Sequence, residues 1–393
     1  MIYFDNAATS FPKPNAVSDE VYKCITQYCG NPGRAGHRMS IAAAEKVYEC
    51  REMAAELFGL GDPTGVIFTL NTTHALNIAI KGCMHRGGHV IISDMEHNSV
   101  YRVIRKYADA GFIRYDIFDS GVLHTDRSAE RICASISSLV RPETELIICT
   151  HASNVCSAVM PIKEIGDLCG RINAERARSG GVRICFIVDG AASAGHVPIN
   201  MASMGINALA LPSHKGLYGP QGCGILLLRG LKPDTLIEGG NGVRSLEPDM
   251  GDELPERYEA GTVATPAIAG LCEGMRYVRS IGISRIAEHE AALYSQTLRL
   301  IGSLPYVQVY GASHVGATLL FNMKGLEADD VGMRLDRYGI CVRSGYHCAP
   351  LAHRTLHTPP GGAVRLSFGI YNTPRQVIAL YEALKRIADE AYR

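Results

Sequence analysis

The chain carries no surplus of either charge: Lys+Arg and Asp+Glu each number 39 in 393 residues. With no net field, no basic run and no aromatic-basic interleaving, we expect neither nucleic acid nor an anionic membrane as a partner. No apolar run approaches the roughly 18 residues of a membrane span. The opening Met1-Ile2-Tyr3-Phe4-Asp5 lacks the charged n-region and long h-region of a secretory signal, so a cytoplasmic location is expected. The 13 cysteines are an odd number without a single CxxC pair. That argues against a metal site of the zinc type and against a disulfide framework, and leaves most of them as small core residues. Also absent are a GxGxxG after the first strand-like run and a GxxxxGK[ST], which weighs against dinucleotide and P-loop sites. Internal repeats, low-complexity tracts and charged linkers are missing too.

What is present is the composition of an ordinary globular protein, 47% hydrophobic and 20% charged. The length suits a large α/β domain with a smaller partner. Short apolar runs alternate with helical stretches: Val66–Leu70, Val90–Ile92, Leu146–Cys149, Cys185–Val188, Ala208–Leu211 and Ile225–Leu228. This is the pattern of a mostly parallel sheet covered on both faces. The large domain is expected over residues 16–265. Residues 1–15, read as loop, join 266–393 in a smaller α/β unit. Helices are expected near 16–28, 41–58, 74–81, 267–281, 287–300, 329–338 and from Pro374. Strands of the smaller unit are expected near 316–322 and 364–367.

In such folds ligands sit outside the carboxyl ends of the strands. The first run ends in Asn71-Thr72-Thr73 at the start of a helix, a place that suits a phosphate. The second delivers Asp94-Met95-Glu96-His97-Asn98 and the third Thr150-His151-Ala152-Ser153-Asn154. The fourth ends in Asp189-Gly190. The fifth stops at Pro212 and presents Ser213-His214-Lys215, followed by Gly216, Gly219, Gly222 and Gly224. A lone lysine in a loop usually just reaches solvent. One desolvated beside a buried strand has a lowered pKa and becomes a nucleophile for carbonyls. Asn31-Pro32-Gly33-Arg34-Ala35-Gly36-His37 is a glycine-rich loop with two potential cations, and by itself reads as a turn.

An aldehyde cofactor with a phosphate and a pyridine nitrogen needs an amine, a phosphate cradle, an acid for the nitrogen and a group over the ring. Lys215, Thr72 and Thr73 with Ser213, Asp189 and His97 supply these from separate strand ends. Residue types and placement thus point to pyridoxal 5′-phosphate.

At these residues the chain resembles the class V branch of the fold-type I pyridoxal-phosphate enzymes, in particular the SufS-like cysteine desulfurases and selenocysteine lyases. The resemblance runs nearly end to end, through Tyr3-Phe4-Asp5-Asn6-Ala7-Ala8-Thr9, Asn71-Thr72-Thr73, Glu96-His97-Asn98, His151-Ala152-Ser153-Asn154 and Val188-Asp189-Gly190-Ala191. It continues through Ser213-His214-Lys215, Glu259-Ala260-Gly261-Thr262, Arg343-Ser344-Gly345-Tyr346-His347-Cys348-Ala349, Arg365-Leu366-Ser367 and Tyr371-Asn372-Thr373. It implies a mostly parallel seven-stranded sheet in the large domain, and that Lys215 holds the cofactor as a Schiff base and moves the α-proton. Asp189 pairs with the pyridine nitrogen, and His97 stacks on the ring and takes part in proton transfer. Thr72, Thr73, Ser213 and His214 bind the phosphate, with Thr262 arriving from the second subunit of a homodimer. Asn154 lies near the ring. Arg365 clamps the substrate carboxylate, with Arg343, Ala7 and His37 also on the substrate side. Cys348 accepts sulfur as a persulfide while L-cysteine becomes L-alanine. His347 and Arg343 are expected to favour its thiolate, and the short thiol loop implies a dedicated sulfur-acceptor protein.

Two departures bear on this reading. Ala192, followed by Ser193, replaces the family's usual glutamine, which contacts the cofactor's ring oxygen; Ser193 is a candidate substitute. Tyr346 stands where many members have histidine. The alternatives are a selenocysteine lyase, another C–S lyase or aminotransferase-like enzyme, or a sulfur-relay partner with little turnover.

Overall fold

The computed structural model describes residues 1–33, 36–243, 245–311, 314 and 316–392. After β1 (Ile2–Tyr3) come α1 (Asn15–Lys23) and α2 (Arg38–Phe58), then β2 (Val66–Thr69), α3 (Thr72–Lys81), β3 (His89–Ser93), α4 (Asn98–Asp109) and β4 (Arg114–Phe118). The chain continues through α5 (Ala129–Leu139), β5 (Thr144–Thr150), α6 (Ile162–Ser179), β6 (Cys185–Asp189), β7 (Ala208–Pro212) and β8 (Gly224–Leu228). One sheet takes seven of these strands in the order β2-β8-β7-β6-β5-β3-β4. It is parallel except that β8 runs antiparallel to both β2 and β7.

The period of two in the strand sequences sorts side chains onto two faces. Val90, Ile92, Leu146, Ile148, Ile187, Ala208 and Ala210 pack with the apolar sides of α3 and α4. Ile91, Ile147, Cys149, Phe186, Val188, Leu209 and Leu211 pack with α2, α5 and α6 on the other face. Burial on both faces explains why these strands read as continuous apolar runs. Strand β4, Arg-Tyr-Asp-Ile-Phe, is the edge strand and is exposed at Arg114 and Ile117. Its mixed polarity gives no such run, and it is the strand absent from the sequence reading. The expected helix at 16–28 is α1 followed by a π-helical segment, Cys24–Tyr28.

The rest comprises α7 (Thr265–Ile281), α8 (Ile283–Ile301), β9 (Val307–Tyr310), β10 (Thr318–Met323), α9 (Ala328–Arg337), β11 (Ile340–Cys341), β12 (Arg343–Gly345), α10 (Pro350–Thr355), β13 (Ala363–Ser367) and α11 (Pro374–Ala391). A four-stranded antiparallel sheet, β12-β13-β10-β9, is covered by α8, α9 and α11 around its own core. Helix α7 instead packs on α1 and α2, with Ile268, Leu271, Cys272 and Met275 in the large sheet's core. Residues 1–15 are not simply loop. Strand β1 pairs in parallel with β11, and Asp5 bridges to Ser367. A two-residue strand whose partner lies far along the chain leaves no local signature. No helix among the described residues is long and apolar enough to cross a membrane.

Candidate active site

The carboxyl ends of β2, β3, β5, β6 and β7 meet at a cavity of about 210 Å³ lined by Thr72, His97, Asn154, Asp189, His214 and Lys215, among others. Each strand hands over to a helix start or a tight turn there. Asn71 caps α3, its side chain accepting from the His74 N–H, so the free N–H groups of the first turn face an anion-binding position. His97 caps α4. Its Nδ1 accepts from the Ser99 N–H at 3.1 Å, which places the proton of the neutral ring on Nε2. Pro212 ends β7, and glycine permits the close packing beyond it. A Cβ on Gly224 would lie 2.6 Å from the Asn71 carbonyl carbon, and one on Gly216 2.2 Å from the Ala194 oxygen.

The site is electrostatically uneven. Burial, reinforced by Arg365, lowers the Lys215 amine to about 8, with Asp189 pulling the other way. Burial and then Lys215 lower His97 to about 4, and the same two causes lower His214 to about 4. Burial raises the Asp189 carboxyl above the usual range, while a bond from the Ala191 N–H opposes the shift. Glu96, just after β3, is fully buried and raised by desolvation to about 8. One of its oxygens accepts from Ser93 Oγ at 2.5 Å and the Thr150 N–H at 2.8 Å.

From the smaller sheet, Arg365 of β13 enters almost wholly buried. Its Nη1 donates to the Asn154 carbonyl and its Nη2 to Asp5 Oδ1, both at 3.0 Å. Arg343 of β12 is half exposed, 3.8 Å from the other Asp5 oxygen. Cys348 is exposed, in a turn tied to the cavity by two bonds. Asn154 Nδ2 donates to the His347 carbonyl at 2.9 Å and the Asn98 N–H to the Cys348 carbonyl at 2.7 Å.

The structure therefore brings Lys215, Asp189, His97, Thr72, Thr73, Asn154 and His214 to one cavity. Other expected residues lie elsewhere. Ser213 is buried and does not line the cavity; its hydroxyl has no hydrogen-bond partner among the described residues, and a Cβ on Gly219 would come within 2.2 Å of it. Ala7 lines an adjoining chamber of about 190 Å³ that shares Lys215, Ala152, Ala191 and Ala192 with the first. Thr262 is exposed on a separate groove, and His37 is an exposed cap of α2. Arg34 lies outside the described residues. Ser193 does not replace the missing glutamine, because its hydroxyl donates to the Gly190 carbonyl and it lines neither chamber. His347 brings no positive charge to the thiol: burial and then Arg365 lower its pKa to about 3. Asp5 and Glu96 stood in the quoted motifs without a role, and only their three-dimensional partners reveal one. His353, which bonds His347, carried no sequence signal beyond its proximity to Cys348.

The donor set fits a phosphorylated aldehyde. Thr72 Oγ1 and His214 Nδ1 are buried without a hydrogen-bond partner among the described residues, and both residues line the cavity with the α3 N-terminus. Asp189 and a nucleophilic lysine complete the set. A seven-stranded sheet with one antiparallel strand, a lysine just after β7 and an aspartate ending the adjacent parallel β6 is the arrangement of the fold-type I enzymes, a class that works with pyridoxal phosphate. The chain belongs to the aminotransferase class-V family, whose family model matches residues 2–380. It is 31% identical to a "Probable cysteine desulfurase" of Methanothermobacter thermautotrophicus, over 98% of this chain and 94% of that one. It is also 31% identical to a "Probable cysteine desulfurase" of Mycolicibacterium paratuberculosis, over 99% of this chain and 56% of that longer protein. Among solved structures, the apo cysteine desulfurase of Thermococcus onnurineus NA1 superposes with a TM-score of 0.85 at 28% identity, covering 99% of this chain and 95% of that one.

Proposed function

We propose that this protein is a pyridoxal-phosphate-dependent cysteine desulfurase that converts L-cysteine to L-alanine and receives the sulfur on Cys348. The observation that carries the reading is the buried, pKa-lowered Lys215 amine in one cavity with Asp189, His97 and Thr72, beside a turn that exposes a single thiol. Pyridoxal phosphate, when bound, supplies an electron sink for the substrate's α-carbon. Thr72, Thr73 and His214 would hold its phosphate, Asp189 its ring nitrogen, His97 the ring face and Lys215 its aldehyde carbon. Ser213 would add its buried hydroxyl.

Arg365 offers its buried Nε, which has no partner among the described residues, to the substrate carboxylate, with Asn154 and Arg343 at the same end. Lys215 Nζ removes the α-proton and later returns a proton to the product. Cys348 Sγ, as thiolate, bonds to the substrate sulfur. The carbon–sulfur bond breaks with its electron pair left on carbon, giving alanine after protonation and a persulfide on the protein.

A homodimer fits the exposed apolar side chains of Tyr22, Ile25, Met39, Ile41 and Tyr48 around α1 and α2, and the groove of about 750 Å³ that Tyr48 and Thr262 line. In it Thr262 and His37 would serve the other copy's site. L-Selenocysteine is an alternative substrate, and the terminal sulfur acceptor would be a separate protein reached in the cytoplasm. A second reading, a C–S lyase or aminotransferase-like enzyme on another amino acid, is favoured by one observation. Ala192, which lines both chambers, puts a methyl group where the family's glutamine would offer a hydrogen bond.

The test is to supply cofactor and several amino acids, measure alanine, sulfide and Cys348 persulfide with and without a thiol reductant, and repeat with Cys348→Ser. Cysteine turnover to alanine with persulfide lost in the variant supports desulfuration. Turnover unchanged in the variant would sink it.

A further inference from the structure

The backbone that presents Cys348 is unusual. His347 and Cys348 are consecutive non-glycine residues at φ 50° and 55°, a left-handed conformation that side-chain-bearing residues avoid and that persists only when its surroundings impose it. Besides the bonds from Asn154 and Asn98 to its carbonyls, the turn is held by a directional chain of hydrogen bonds through two histidines. His347 Nε2 lies 3.2 Å from the Arg343 carbonyl. A carbonyl only accepts, so Nε2 donates and Nδ1 of the neutral ring must accept. Its partner is His353 Nε2, at 3.0 Å, which therefore donates. His353 Nδ1 then accepts from the Thr358 hydroxyl at 2.9 Å.

Every polar atom of both rings is used, and one tautomer of each ring satisfies the whole chain. The rings lie edge to edge and nearly coplanar, with centroids 5.2 Å apart and 17° between planes, and Tyr346 meets the His353 ring edge-on at 5.4 Å. Both imidazoles are buried. Burial and the nearby Arg365 hold both neutral, the state the pattern requires.

We propose that His353 is a positioning residue for Cys348: by donating to His347 Nδ1 it locks the turn 346–349 so that the thiol projects from a fixed backbone. The proposal rests on the reading of Cys348 as the sulfur acceptor. It assigns a role in the reaction to a side chain that need not touch substrate or cofactor.

The test compares His353→Leu, which removes the donor, with His353→Gln, whose amide can still donate toward His347. Amide hydrogen exchange of residues 346–349 is followed by mass spectrometry. Cys348 persulfide formation from L-cysteine is measured in the cofactor-loaded enzyme. We expect His353→Leu to speed exchange and to slow persulfide formation by about 10–100-fold, with KM for cysteine little changed. His353→Gln should restore most of both. Should His353→Leu not fold, Thr358→Val, which removes the last donor of the chain, must shift both readouts in the same direction. Unchanged exchange in His353→Leu, or a His353→Gln variant as impaired as His353→Leu, would overturn the proposal. Wild-type protein that forms no persulfide, with the exchange difference intact, would support the locked turn and overturn the desulfurase reading instead.

Discussion

Asp5 and Arg365 stand 360 residues apart in the chain and meet at 3.0 Å. The contact joins the segment after β1 to the strand that carries the buried guanidinium, and Asp5 also approaches Arg343. An arginine this buried needs a counter-charge, and Asp5 is the carboxylate that reaches it.

Asp5→Asn should therefore destabilise the protein by about 2–4 kcal/mol, because it leaves a buried cation without its anion. Urea unfolding would measure the loss. A carboxylate ligand such as L-alanine should restore part of it by supplying the missing charge. Equal stability of variant and wild type would show that Arg365 does not depend on Asp5.

The Lys215 amine, lowered from 10.5 to about 8, has a specific pH signature. Burial and Arg365 disfavour the ammonium form, so the neutral, nucleophilic amine populates above about pH 8 rather than above pH 10. The rate at which cofactor-free protein captures pyridoxal phosphate should rise through pH 8 and level off beyond it. Arg365→Met removes a positive neighbour and should move that rise to higher pH, which stopped-flow absorbance can follow.

Glu96 makes the opposite kind of prediction, about stability. Its folded pKa, about 8, lies above the ordinary 4.5, chiefly because of burial. The folded state thus holds a proton that the unfolded state has released. Stability from this group is complete below about pH 4.5, falls as pH rises and is lost by about pH 8. Glu96→Gln keeps an oxygen to accept from Ser93 and Thr150 and has no proton to lose. Thermal melts of the variant should vary less between pH 5 and pH 8, and at pH 8 it should be the more stable protein.

Thr72 should separate stability from binding. Its hydroxyl is buried with no partner among the described residues, so it costs stability until a ligand satisfies it. Thr72→Val should be neutral or stabilising in the cofactor-free protein, by up to about 1 kcal/mol. The same change should weaken pyridoxal phosphate about tenfold. Isothermal titration beside thermal melts would show both signs, and a variant that binds as well as wild type would remove Thr72 from the phosphate site.

The six apolar runs and their polar termini were legible in the sequence because strands buried on both faces must be continuously apolar, and because glycine and proline mark where they stop. That was enough to place Lys215, Asp189, His97 and Thr72 at one edge of one sheet. The edge strand Arg114–Phe118 was not legible, since exposure at Arg114 and Ile117 and the polar Asp116 break the run. Nor was the pairing of Ile2–Tyr3 with Ile340–Cys341, which depends on a register set by distant packing.

Only the tertiary structure decided which side chains of the site are spent on each other. It commits Ser193 to Gly190, gives Asp5 to Arg365 and links His353 to His347. Residue types along a chain determine which chemistry is possible at a strand end. Which groups remain free to perform it depends on partners brought close by folding, and those distances are not written locally in the sequence.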